Sequence, residues 1–413
     1  MIKNAPPVVL DILLKYINLC LHKSLISQDW CYDIITTIYK DGSSIDPNNY
    51  RGISISSILL KLTCSLLHNR LEVFCEKNDI IDKNQIGFRK KHRTSDHLLT
   101  LRSIVKKYVT IGEKKLFACF IDFKKAFDSV CHEDLFHKMR KLGIGGKTLD
   151  LITDIYRKTK CAVKSGDSIT SFFDYQKGVR QGCPLSSLLF NIYVNDLFEV
   201  MNNGNDSDIF LNSSEDKINI LMYGDDLIIL SDSKNGLQKQ IEKLENYCSK
   251  WKLEINNKKS KTMIFNRGNK LINTEFYTKK AKLENVKEFN YLGITVSAKN
   301  CNFAPTIRDL SVKATRGIFA LNNKIKLSKL ATNLALKLFN SLISPILLYG
   351  SEVWGPYANH DFAEWDKIKI EQVHVQFIKR ILGCNFNTSN IMSRSECGRR
   401  PLLIDIKTRK KSF

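Results

Sequence analysis

The chain has 413 residues, 43% of them hydrophobic, which is enough for two to three subdomains around a sizeable core. Its 64 Lys and Arg outnumber 42 Asp and Glu, leaving a formal net charge of +22. Part of that surplus is general Lys, Asn and Ile richness, and the rest points to a polyanionic partner, above all nucleic acid. Twelve cysteines occur with no Cys-x-x-Cys pair, which sets aside a zinc ribbon or a redox pair and suits a reduced, intracellular compartment. The apolar stretch Val8 to Leu21 carries Asp11 and Lys15 and is too short and polar to span a bilayer, so no membrane partner is expected.

In chain order, residues 1 to about 40 read as helices, with Ile12, Leu13, Tyr16, Ile17, Leu19 and Cys20 giving an apolar face. A turn-rich stretch from Lys40 to Asn49 leads to Tyr50-Arg51-Gly52-Ile53-Ser54-Ile55 and then to a helix over about Ser57 to Glu76. The run Gln85-Ile86-Gly87-Phe88-Arg89-Lys90-Lys91-His92-Arg93-Thr94 reads as a basic loop suited to a triphosphate or a template backbone, or simply as a solvated loop. Leu116 to Ile121 is almost continuously apolar, as a strand buried on both faces should be, and it ends on Asp122. A terminal acid there requires a hydrogen-bonding or metal partner.

Further along, Gly178 to Ser187 reads as a turn entering a helix from Leu188 to Val200, with Gly182 allowing close backbone approach to a ligand. The polar stretch Asn202 to Lys217 reads as a surface loop. Two β-prone runs, Ile218 to Met222 and Leu227 to Leu230, flank Tyr223-Gly224-Asp225-Asp226, the pattern of a hairpin with its turn at two carboxylates. Such turns are common on surfaces, but adjacent acids between apolar strands also suit a divalent metal, whose charge removes their repulsion. After it come a helix lined by Leu237, Ile241, Leu244, Cys248 and Trp251, a basic turn, and a strand at Thr262 to Phe265. Phe289 to Val296 reads as a strand-turn element. From about residue 304 the chain turns helical and basic.

The ordered set of these motifs resembles the non-LTR (LINE-type) retrotransposon reverse transcriptases. The fingers motifs lie at Asn48 to Ser54 and Gln85 to Arg89, and the palm motifs at Phe120 to Val130, Arg180 to Asn191 and Tyr223 to Asp226. Asn256 to Phe265 with Tyr291-Leu292-Gly293 supply the fourth motif and the primer grip. The resemblance implies an α+β right-hand polymerase with fingers, a palm built on an antiparallel sheet, and a helical thumb. Its expected divisions are a helical extension over 1–45, fingers and palm over 46–300, and a thumb and C-terminal region over 301–413.

The resemblance further implies two-metal nucleotidyl transfer copying RNA into DNA, with an RNA template, a DNA primer and dNTPs as partners. Two Mg²⁺, or Mn²⁺ in their stead, would be held by Asp122, Asp225 and Asp226 with the backbone carbonyl of Phe123. Phe127 would exclude ribose, Gln181, Gly182 and Tyr223 would meet the nucleotide, and Arg89 would grip the triphosphate with Lys90 or Arg51 as helpers. Lys259 is the expected general acid for pyrophosphate. Gly224 stands where the family more often carries Ala. Set against the family's pattern, the chain is expected to lack the endonuclease that most members carry ahead of these motifs and the zinc knuckle beyond the thumb, as a truncated element would. Rival readings are an RNA-directed RNA polymerase and an inactive remnant that binds nucleic acid. Phe127 and the Gln181-Gly182-Cys183-Pro184 run argue against the first, and the three intact aspartates against the second. The family implies nuclear action, without a clear targeting signal.

Overall fold

The computed structural model describes residues 4–40, 42–203, 209–210, 217–268, 272–357 and 362–411. Most of the polar stretch Asn202 to Lys217 therefore lies outside the described residues. The first sheet, in the fingers, has five strands: β1 (Tyr32–Tyr39), β2 (Tyr50–Ile55), β4 (Lys160–Ser165), β5 (Ser168–Ile169) and β6 (Phe173–Asp174). β1 pairs antiparallel with β2, Tyr39 facing Tyr50, and parallel with β4, Tyr32 facing Lys160.

That arrangement corrects the expected secondary structure: a helix does run over Pro7–Lys23, but Tyr32–Tyr39, read as helical, is a strand. Ile34, Ile35, Thr36, Thr37 and Ile38 make a β-branched run that packs well on a pleated surface. The partner that makes β1 an inner strand is supplied by β4, more than a hundred residues later in the chain.

The second sheet, in the palm, has six strands in the order β10 (Phe276–Tyr277), β11 (Lys282–Asn285), β9 (Lys261–Phe265), β3 (Leu116–Ile121), β8 (Asp226–Ser231) and β7 (Ile220–Tyr223). All six residues of β3 are buried. Because successive side chains of a strand point to opposite faces, they divide between two cores. Phe117, Cys119 and Ile121 join Leu135, Phe190, Leu237 and Ile241, from the helices His132–Lys141, Ser186–Val194 and Lys234–Lys250. Leu116, Ala118 and Phe120 join Tyr291, Leu310 and Phe377 on the other side. The palm sheet is thus a layer shared by fingers-side helices and the thumb.

The thumb-side core begins at a hairpin of β12 (Glu288–Tyr291) and β13 (Ile294–Ser297), the strand-turn element expected from the sequence. Phe289 stacks on Phe120 with ring centres 4.4 Å apart, which lays this hairpin beside the end of β3. The long helix Ala304–Ile325 follows, its Leu310, Ala314 and Ile318 turned inward, and Lys369–Leu382 packs against it. The buried Glu371 closes the region, accepting from Trp365 Nε1 at 2.8 Å, the Leu402 amide at 2.8 Å and Arg394 at 3.1 Å. With the sheet, hairpin and helical thumb in these positions, the architecture is that of a right-hand polymerase. Among the described residues, no helix is long and apolar enough to cross a membrane.

Candidate active site

Sheet register brings the three aspartates together. β3 runs antiparallel to β8 with Ile121 facing Leu227, so the next residue along β3, Asp122, comes opposite Asp226. β7 and β8 close a hairpin in which Tyr223 faces Asp226 and Gly224-Asp225 form a two-residue turn. Of the two turn residues only Gly224 has positive φ, +64°, the glycine-first arrangement of tight hairpin turns that match strand twist.

Asp122 is held from the adjoining basic turn. Asn256 Nδ2 donates to Asp122 Oδ2 at 2.9 Å, the Asn256 amide donates to the Asp122 carbonyl at 2.8 Å, and the Asp122 amide donates to Ser260 Oγ at 3.1 Å. The Asn-x-x-Lys-Ser run thus spends its Asn and Ser on orienting Asp122. Lys259, between them, is exposed and lines a cleft of about 410 Å³ with Asp122, Asp226, Lys258 and Asn290. Phe123 is buried and bridges to Ile255, while the two hydrogen bonds of that bridge run from Lys124 and Asn256.

Charge crowding shows in the protonation behaviour. Desolvation in the cleft, then the charges of Asp225 and Asp122, push Asp226 up to about 6, although its side chain still reaches solvent. Asp225 is also raised, first by desolvation and then by Asp122, against the pull of Arg51 and Lys40. Among the described residues, no group of three His, Cys, Asp or Glu side chains is set to hold an ion as it stands. Uncompensated carboxylates repel, and one oxygen of Asp122 is already engaged by Asn256. The donor set is nonetheless all hard oxygen, the kind Mg²⁺ takes together with phosphates and water rather than as a closed protein cage.

Around the carboxylates, Phe127 is half-buried. Its ring stacks on Phe190 at 4.6 Å and 13°, and Phe88 meets it edge-on at 6.2 Å. Tyr223 lies 6.3 Å from Phe88 on the opposite side. Gln181 donates to Asp128 Oδ1 at 3.0 Å and accepts through its carbonyl from the Ser54 amide at 2.8 Å. Gly182, at φ +109°, was expected to make room for a ligand. Gly182 also lies against β2, where an added Cβ would lie 2.9 Å from the Ser54 carbonyl oxygen.

Arg89 departs most from expectation. Its guanidinium forms a two-pronged pair with Glu76, 2.9 Å on each arm, and donates to the carbonyls of Asp82 at 3.1 Å and Gln85 at 3.2 Å. Lys90 is paired with Glu72 at 2.6 Å. Neither cation faces the carboxylates, because both are spent on the helix Ile58–Lys77. The cations that do sense the site sit on the β1–β2 hairpin. Lys40 is lowered by desolvation and by Arg51 and Lys259, and raised by Asp122 and Asp128, so all five groups share one field. The sequence reading took Lys40 as part of a turn; its signal was a lysine two residues past the β-branched run Ile34 to Ile38, on the strand that pairs with the one carrying Arg51.

Residues 38–296, more than half of the chain, match the family model described as "Reverse transcriptase (RNA-dependent DNA polymerase)". A probable RNA-directed DNA polymerase from transposon BS of Drosophila melanogaster is 26% identical over 84% of this chain and 38% of its own length. The RNA-directed DNA polymerase from mobile element jockey of Drosophila funebris is 27% identical over 84% of this chain and 37% of its own. A Pol polyprotein from the R2 retrotransposable element of Nasonia vitripennis is 28% identical over 61% of this chain and 23% of its own. The chain therefore spans well under half the length of these curated relatives. Among solved structures, telomerase from Candida tropicalis superposes with a TM-score of 0.50 at 14% identity, covering 94% of this chain and 63% of that one, which speaks to fold alone. The chain belongs to the reverse transcriptase family, on its non-LTR retrotransposon branch.

Proposed function

We propose that this chain is the polymerase core of an RNA-directed DNA polymerase that extends a DNA primer along an RNA template with dNTPs. The observation that carries this reading is the β3–β8 register, which sets Asp122 against Asp226 beside Asp225 at one end of the palm sheet. Bound Mg²⁺, or Mn²⁺, would supply Lewis-acid charge for the attacking primer hydroxyl and the leaving pyrophosphate. Asp122, Asp225, Asp226 and the Phe123 carbonyl would hold these ions, with Asn256 and Ser260 keeping Asp122 in place.

Lys40 and Arg51 take the triphosphate in place of Arg89, since their charges act on the carboxylate of Asp225. Lys259 protonates the leaving pyrophosphate from the cleft wall. Phe127, backed by Phe190 so that it cannot swing away, closes the space a ribose 2′-hydroxyl would occupy. Gln181 and Tyr223 border the nucleotide. The site of action is nuclear on this reading; a tagged protein excluded from nuclei in dividing cells would refute it.

Primer extension on an RNA template tests the proposal. Wild-type protein extends with dNTPs and Mg²⁺, and Asp225→Ala loses about a thousand-fold or more, equivalent to about 4 kcal/mol of barrier. Extension surviving in the Asp225→Ala protein would refute the metal assignment. Phe127→Val should lower discrimination against ribonucleotides by about 10–100-fold, the range a steric contact of this size commands. A wild-type protein that prefers NTPs would favour RNA polymerisation instead.

A further inference from the structure

The segment from Asn84 to Phe88 touches the catalytic hairpin, and none of the chemistry above uses it. Its backbone lies beside β7, where the Ile86 amide donates to the Met222 carbonyl at 3.1 Å and the Met222 amide donates to the Asn84 carbonyl at 2.9 Å. The Gln85 side chain, 0% exposed, is inserted beneath the turn. Its Oε1 accepts from the Gly224 amide at 3.1 Å and from the Gly87 amide at 3.1 Å, and its Nε2 donates to the Gly224 carbonyl at 3.2 Å. One primary amide thus satisfies both backbone polar groups of the residue preceding Asp225.

Gly224 is buried, so its N–H and C=O need partners that water cannot supply. Glutamine offers an acceptor and a donor on one planar group, which a carboxylate or an ammonium does not. The neighbouring residues are shaped to this approach. A Cβ added to Gly87 would lie 2.0 Å from the Gly224 nitrogen, and one added to Gly224 would lie 2.7 Å from the Phe88 ring. Phe88 itself sits at φ +63°, a left-handed conformation that is costly for an aromatic residue. Asn191 Nδ2 donates to the Gly87 carbonyl at 2.8 Å, which anchors the segment to the helix Ser186–Val194. The turn it contacts must hold two adjacent carboxylates beside a third, an arrangement whose repulsion favours splaying.

We propose that Gln85 is a positioning residue of the catalytic turn: its amide locks the Gly224 peptide units and so presets Asp225 and Asp226 for divalent-metal binding. This inference rests on the polymerase reading. Its test is an Mg²⁺ titration of primer extension at saturating dNTP for wild type, Gln85→Met and Gln85→Asn, with thermal melting of each. Gln85→Met keeps the length without the polar atoms, and Gln85→Asn keeps an amide one methylene short, which guards against a folding failure. The expected result is a rise of about tenfold in Mg²⁺ half-saturation for Gln85→Met, as for other groups that orient metal ligands. Gln85→Asn should shift in the same direction, and both should regain most of their rate at high Mg²⁺. Half-saturation within twofold of wild type in both variants, or rate losses that follow melting temperature alone, would overturn it. A wild-type protein that does not extend primers at any Mg²⁺ concentration would instead refute the polymerase reading.

Discussion

Two basic segments of this protein carry similar charge and use it in opposite ways. The loop with Arg89 and Lys90 turns its cations back onto Glu76, Glu72 and backbone carbonyls of its own subdomain. The β1–β2 hairpin keeps Lys40 and Arg51 close enough for their charges to act on Asp225. A guanidinium that is already satisfied is an architectural part, whereas a cation facing uncompensated carboxylates is available to a ligand. Net charge and loop composition do not distinguish the two; the positions of the acids do.

The comparison breaks most visibly at Arg89. Arg89→Ala leaves Glu76 and the carbonyls of Asp82 and Gln85 without their donor, so unfolding free energy should fall by about 1–3 kcal/mol in urea melts, most of it from the carbonyls because Glu76 is partly exposed. The protein that remains folded should keep its dNTP KM within about twofold, because no ligand contact is lost. A large rise in KM with intact stability would return Arg89 to the triphosphate. The opposite pattern is expected on the hairpin. Lys40→Ala and Arg51→Ala should each raise dNTP KM by about tenfold, worth about 1.4 kcal/mol, with melting unchanged. Unchanged KM in both would leave the triphosphate without its proposed grip.

The smallest effect is on pH dependence. Hydrogen bonding from Arg89 holds Glu76 below its ordinary 4.5. A depressed folded value means that the stabilisation is fully present above 4.5 and lost as pH falls through the lower folded value. Glu76 is partly exposed, so the wild-type loss is modest, and in Arg89→Ala this part of the acid limb should flatten. Identical acid limbs in the two proteins would show that the pair carries no linkage.

The sequence by itself determined four of the six palm strands, β3, β7, β8 and β9, and singled out the three aspartates. β3 is a continuous apolar run, and the hairpin around Gly224 is fixed by local β propensity and a glycine turn, information that lies within a few residues. The same holds for the helices Ile58–Lys77, Lys234–Lys250 and Ala304–Ile325, whose apolar periods are local. Tertiary structure decided what depends on distant partners. Tyr32–Tyr39, read as helical with the residues before it, became a fingers strand because β2 and β4 pair with it. Gly182 lies against the Ser54 carbonyl, and Arg89 is paired with Glu76, contacts that local sequence does not reveal. Gln85 read as one polar residue in a basic loop, yet its two hydrogen bonds to Gly224 span 139 positions of sequence. Hydrogen bonds and ion pairs are short-ranged in space and blind to separation along the chain, so only the folded arrangement tells which polar groups are spent and which are left for chemistry.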